Sequence, residues 1–477
     1  MDEEKNHKKE GGKLPNITQV IAFITATLTL LPLLINACSN NQSLKKGSES
    51  PSISDSTINK WNKLGDAYDQ GLGVIQNHAE AVKWYRFAAN QGNKAAQNNL
   101  GDAYDQGLGV IQDHAEAVKW YRLAANQGEK TAQTSLGVAY DHGDGVLQDY
   151  AEAVKWYRLA ANQGETFAQF DLGLAYARGK GVIQDYAEAV KWYHLAANQG
   201  NKAAQNNLGD AYDQGLGVIQ DYAEAVKWYR LAANQGEKTA QFNLGVAYAR
   251  GEGVIQDPAE AVKWYRLAAD QGETFAQFSL GLAYAHGKGV IQNHAEAVKW
   301  YRLAANQGMK EAQNNLGVAY ALGKGVIQNH AEAVKWYRLA ANQGMKEAQN
   351  NLGDAYDHGE GVLQDPVEAV KWYRLAANQG EKTAQFNLGV AYARGKGVIQ
   401  DPAEAVKWYR LAANQGMKEA EFNLGVAYEN GKGVIKDNAE AVKWYRLAAK
   451  HGMKEAHIAL KNLQQKDIKK SRFVMEI

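Results

Sequence analysis

The chain has 477 residues, with 47 Gly, 6 Pro and 1 Cys, and its 53 Lys and Arg balance 52 Asp and Glu to a net charge of +1. That balance leaves no basic field for a nucleic-acid backbone and no acidic field for a basic partner. A single cysteine excludes an intramolecular disulfide framework.

Residues 1–16, MDEEKNHKKEGGKLPN, form a polar segment of mixed charge. Residues 17–38 come next, and Ile17 to Ala37 carry no charge. At about 1.5 Å per helical residue this stretch is long enough to cross a hydrocarbon layer of about 30 Å. Pro32, four Thr and Gln19 make it a mediocre span. Three readings stay open. LLINAC, ending at Cys38, resembles a bacterial lipoprotein signal in which that cysteine becomes the lipid-bearing terminus. The stretch also suits an uncleaved single-span anchor, or an ordinary signal cleaved after Ala37. The first two tether the chain to a membrane, and the expected location of the remaining chain is periplasmic or otherwise extracytoplasmic. Residues 39–56 are Ser-rich and read as a flexible linker.

From residue 57 to 452 the sequence repeats. Beyond Trp61, the tryptophans run Trp84, Trp120, Trp156 and so on to Trp444, always 36 residues apart. A fixed period of that size marks an array of stacked units. One unit is Asn93 to Gly128, NKAAQNNLGDAYDQGLGVIQDHAEAVKWYRLAANQG. Ala96, Leu100, Ala103 and Tyr104 fall on one face of a first helix; Ala117, Tyr121, Ala124 and Ala125 do so in a second. Asp113, with Glu116 three residues on, predicts a reciprocal capping box. Gly107 and Gly128 stand where left-handed helix ends belong. Gly101 lies in mid-helix, as do its counterparts in the other units, at a cost of about 1 kcal/mol each relative to Ala. A neighbouring ring or backbone pressed against that Cα is the expected reason.

Such a unit buries too little to order its own residues, so each is expected to fold only against its neighbours. The ends are correspondingly atypical. Trp61 takes the place of Gln97 in the first unit. Residues 453–477 supply a lone capping helix and a basic tail, in which Lys461 replaces the mid-helix glycine.

The string L-G-x-A-Y-x-x-G-x-G-V, followed by D-x-x-E-A-V-K-W-Y-x-x-A-A-x-Q-G, resembles the Sel1-like repeat, a relative of the tetratricopeptide repeat, over eleven units. The resemblance implies an all-α fold: an α/α superhelical solenoid of helix-turn-helix repeats whose first helices line a concave groove used to hold proteins. Some members are periplasmic or outer-membrane lipoproteins. The branch with a disulfide in every repeat is excluded by the single cysteine.

Comparing the units within this chain locates the variation. It concentrates in the first helix at the positions of Asn98, Asp102, Asp105 and Gln106, expected to share one exposed face. Phe170, Phe242, Phe278, Phe386 and Phe422 stand at the Asn98 position, Asp210 and Asp213 at the two aspartate positions, and Arg178, Arg250 and Arg394 at the Gln106 position. Five phenylalanines on a solvated face point to a docking groove for a protein or peptide; neutral drift on a solvated surface is the alternative. No cofactor or metal is expected. His78 and His114, one repeat apart, are too distant to share an ion, and the Asp102/Asp105 type of pair reads as a solvated face.

The expected function is therefore a non-enzymatic interaction scaffold or adaptor, membrane-tethered, with one or more proteins as partners and no nucleic acid. The competing reading is an envelope enzyme or cell-wall ligand binder of the penicillin-binding or β-lactamase kind. Its only sequence support is S-x-x-K at Ser43–Lys46, in the linker and without the companion motifs.

Overall fold

The computed structural model describes residues 53–475, and side chains as far as 465. Residues 1–16 and 17–38, the Cys38 lipidation site, Ser43–Lys46 and most of the linker lie outside the described residues. The described part holds 23 helices and no strand, and no described helix is long and apolar enough to cross a membrane. The chain divides into two compact units, Met1–Asp221 and Tyr222–Ile477, each an α/α solenoid of helix pairs in which consecutive helices pack on one another.

In the first unit the repeat Asn93–Gly128 shows how the sequence sets each helix. Asn93 accepts the amide of Ala96 at 2.8 Å and starts the helix Lys94–Gln106, which Gly107 ends at φ 70. Asp113 accepts the amide of Glu116 at 2.9 Å and starts His114–Asn126. The expected capping box is only half made. The amide of Asp113 already donates to the Tyr104 carbonyl at 2.9 Å, so the Glu116 carboxylate instead takes Lys119 at 2.7 Å. Tying the loop to the first helix satisfied the donor that the box would have served.

The apolar core straddles the sequence repeat. Ala117, Tyr121 and Ala124 of one second helix close on Ala132, Leu136 and Ala139 of the next first helix, with Trp156 of the following second helix packed against them. The second unit repeats the arrangement with Ala297 and Tyr301 on Ala312 and Leu316, covered by Trp336. The periodic tryptophan thus covers a core begun by the preceding repeat. Polar groups are matched the same way. Buried Gln97 donates to the Ala89 carbonyl at 3.1 Å and accepts from Gln127 at 2.8 Å, and Arg122 donates to the Tyr140 hydroxyl at 2.7 Å across the repeat junction.

The mid-helix glycine does face a ring, but one from its own repeat. A Cβ on Gly101 would lie 2.6 Å from two ring carbons of Tyr121. Among the described residues no second helix packs its tyrosine against Lys461, so that position does not need glycine.

Both ends are closed differently from the interior. The first helix, Asp55–Gln70, begins two residues before the expected linker boundary, where Ser54 caps it. Trp61 packs on Phe87 at 5.9 Å between ring centroids. At the other end the helix Lys454–Met475 runs through the expected basic tail, and Leu463 seals Ala441 and Tyr445.

Candidate functional site

The varying first-helix positions fall into two main sets, with the pairs Asn314/Val318 and Thr134/Val138 between them. In Asn93–Gly128 the Tyr121 hydroxyl donates to Asp102 at 2.8 Å, and Asn98 donates to the same carboxylate at 3.0 Å. Asp354, Tyr373 and Asn350 repeat the triad, Tyr to Asp at 2.7 Å and Asn to Asp at 3.0 Å. Asp210 accepts from Asn206 at 3.2 Å. Where Phe replaces Asn, Val or Leu replaces Asp, and the pair of rings takes over. Phe170 meets Tyr193 at 6.2 Å, Phe242, Phe278 and Phe386 meet Tyr265, Tyr301 and Tyr409 at 5.8 Å, and Phe422 meets Tyr445 at 5.5 Å.

This corrects the expectation of one exposed face. Asn98 is buried, 7% exposed, and the five phenylalanines are half-buried against tyrosine rings. A phenylalanine cannot donate to the carboxylate as Asn98 does, so an aspartate beside it would keep only the tyrosine hydroxyl, and each of the five phenylalanines is accompanied by Val or Leu. The coupling runs one way, since Asn314 and Thr134 stand with Val318 and Val138. Asp105 is half-buried and pairs with the His114 ring at 2.8 Å, as Asp69 pairs with His78 at 2.9 Å. Asp213 is half-buried and its carbonyl accepts from Gln220 at 2.7 Å. Gln106, Arg178, Arg250 and Arg394 do stand exposed.

The Asp102, Asp105 and Gln106 positions, but not the Asn98 position with its phenylalanines, line a cleft that recurs where two repeats meet. Between Ala177 and Leu216 it is walled by Tyr186, Tyr193, Asn207 and Asp210, with about 140 Å³ of open space. The same positions wall a cleft of about 360 Å³ by His294, Tyr301, Asn315 and Lys324, and one of about 180 Å³ by His330, Tyr337, Asn351 and Asp354. In each, the tyrosine of one second helix forms the floor and the next first helix supplies the far wall.

One cleft differs in charge. At the place of Asn207 it carries Asp171, beside Asp141, Arg178 and Lys180. Burial, with Asp141 and Glu165 nearby, pushes the Asp171 carboxyl up to about 6. Burial likewise raises Asp102, against the hydrogen bond from Tyr121, and raises Tyr193 and Tyr301 to about 12. The tyrosine floors therefore stay neutral donors. Asp171 and the floor tyrosines were missed as cleft residues because their periodicity alone reads as core. The replacement of Asn by Asp at that register was the signal.

The Sel1 repeat family model matches residues 62–93, 94–129 and each following segment through 418–453, eleven in all. The chain belongs to the Sel1-repeat family. It is similar to the crystal structure of a protective antigen of uropathogenic Escherichia coli that displays this repeat fold. The identity is 39% over 87% of this chain and 91% of that one, with TM-score 0.78. It is also similar to a Sel1 repeat protein from Oxalobacter formigenes, at 35% identity over 65% of this chain and 89% of that one, with TM-score 0.52. No curated protein matches the chain. In this chain the clefts sit between successive helix pairs, and Sel1 repeats commonly mediate protein–protein interaction.

Proposed function

We propose that this Sel1-repeat chain is a non-enzymatic scaffold that docks a protein partner along its first-helix face, side chains of the partner entering successive clefts. The observation that carries the reading is the recurrence of one cleft with two kinds of wall. Units such as those of Asp210 and Asp354 put a carboxylate in the wall; the unit of Leu174 and Arg178 puts an apolar side chain there with a basic rim. A chain that engages several weak clefts at once gains avidity from their number.

The discriminating residues are the exposed ones, since truncating the half-buried phenylalanines would disturb packing. Charge reversal of Arg178, Arg250 and Arg394 together, in the full chain, is expected to remove the partner recovered by affinity capture from the native source while leaving the melting curve intact. Identical recovery by parent and variant would sink the groove.

The apolar segment Ile17–Ala37 and Cys38 support membrane tethering with the repeats on the extracytoplasmic side. Mass analysis of the mature N-terminus tests this, with a lipid-bearing Cys38 as the expected result. Sel1-repeat solenoids are generally non-catalytic scaffolds. Turnover of a chromogenic β-lactam by the purified chain would reverse that part of the reading.

A further inference from the structure

The loop between the two helices of each repeat holds an apolar side chain that the fold does not use. In Val110–Ile111–Gln112 the outer two turn inward: Val110 packs against the core and the Gln112 amide donates to the Asp105 carbonyl at 2.7 Å. In an extended segment the residue between them must point away, and Ile111 is 90% exposed. The second unit carries six residues at this register, Ile255, Ile291, Ile327, Leu363, Ile399 and Ile435, every one 91% exposed. Three residues earlier the same loop drifts freely between Leu108, Asp144, Lys180 and Glu252. The exposed register changes only from Ile to Leu. Single surface apolar residues need no explanation; a row of them, one per repeat, does.

We propose that this row is a self-association surface and that its occupant is the same row of a second copy of this chain. A ladder of knobs set at the repeat spacing can be matched along its whole length only by a ladder of identical spacing, and a second copy has that spacing by construction. A two-fold pairing makes the contact self-complementary. Six side chains from each copy cover on the order of 1,000 Å² together, at about 60–120 Å² apiece; with their flanking loops this approaches the roughly 1,200 Å² of a specific contact. The neighbouring loop charges are of both signs, Lys288, Lys324, Lys396, Lys432 and Lys436 against Glu252, Glu360, Asp257, Asp365, Asp401 and Asp437, so the row carries no basic field that would draw it to an anionic bilayer.

The test uses the full chain in sedimentation velocity, beside a variant with I255Q, I291Q, I327Q, L363Q, I399Q and I435Q. The high exposure of these positions lets the variant fold, which its melting curve verifies, and any association through other segments is common to both arms. The parent is expected to form a dimer and the variant to dissociate at least 100-fold more readily. In a C38S background, I327C combined with L363C, which covers either direction of pairing, is expected to form an intermolecular disulfide where R338C does not. Equal association of parent and variant would overturn the proposal. So would loss of flotation with phosphatidylcholine vesicles at unchanged association, which would give the row to a lipid surface.

Discussion

A Cβ on Gly109 would lie 2.3 Å from the carbonyl carbon and oxygen of His78, the first residue of the second helix in the preceding repeat. The second glycine of the Gly-x-Gly loop is therefore the point where one repeat's backbone touches the last. Gly73 holds the same place in the first repeat, at φ 75 against 73, and has nothing within 4 Å. Both positions need the left-handed region, so Ala at either one pays about 1–2 kcal/mol of backbone strain. Gly109→Ala is expected to cost about 2 kcal/mol more than Gly73→Ala, because backbone cannot swing aside. Urea midpoints of the two variants measure the difference, and equal midpoints would remove the junction contact.

Gly101 answers to a different neighbour. Gly101→Ala places a methyl group within the Tyr121 ring envelope, and the ring is buried, with its hydroxyl fixed on Asp102. The substitution should destabilise by about 1–3 kcal/mol, despite the better helix propensity of alanine. Raised stability in a thermal melt would contradict the contact.

Asp171 gives a pH dependence with an unusual sign. Its carboxyl sits near 6 when folded and near the ordinary value of about 3.9 when unfolded, so the folded state holds the proton more tightly. Ionisation then subtracts stability: the loss is absent below about pH 4, grows between pH 4 and 6, and is complete above. Asp171→Asn, the residue at this place in Asn99 and Asn207, is expected to stabilise by about 2–3 kcal/mol at pH 8 and negligibly at pH 4. Thermal melts at both pH values decide it.

At the C-terminal end a paired replacement stands in for the glutamine pair of the other repeats. Glu421 is 2% exposed, and both its oxygens face His451 Nδ1, at 2.9 and 3.0 Å. The preceding repeat has Gln415 donating to Gln385 at 2.9 Å. His451→Gln alone leaves an amide that can still donate to the buried Glu421 side chain, as Gln415 does to Gln385, and should cost about 1 kcal/mol. Adding Glu421→Gln should restore most of it, and a double variant no more stable than the single would show that the pair is not coupled.

The helices, their caps and the apolar faces were legible because period and punctuation are local properties of the chain. The solenoid followed from repetition itself. The site was legible only in part. Aligning the units showed where residues change, at Asn98, Asp102 and Gln106, yet variation alone does not separate a solvated surface from a half-buried one. The coupling of Phe170 to Leu174, and of Asn98 to Asp102, was present in the letters, but its cause, a tyrosine nineteen residues beyond the aspartate, belongs to the packing of two helices. Ile111 was overlooked for the opposite reason: a constant apolar residue reads as core until its solvent exposure is seen.

Every internal core is closed by halves of two adjacent copies, as Tyr121 and Leu136 do, and every junction is made by the same Gly109-type contact. Deleting or duplicating a whole period at the level of the gene therefore joins the same two half-cores that were joined before. Copy number can drift through unequal recombination without stranding an apolar face, and the reach of the protein becomes a heritable length that selection can adjust one period at a time.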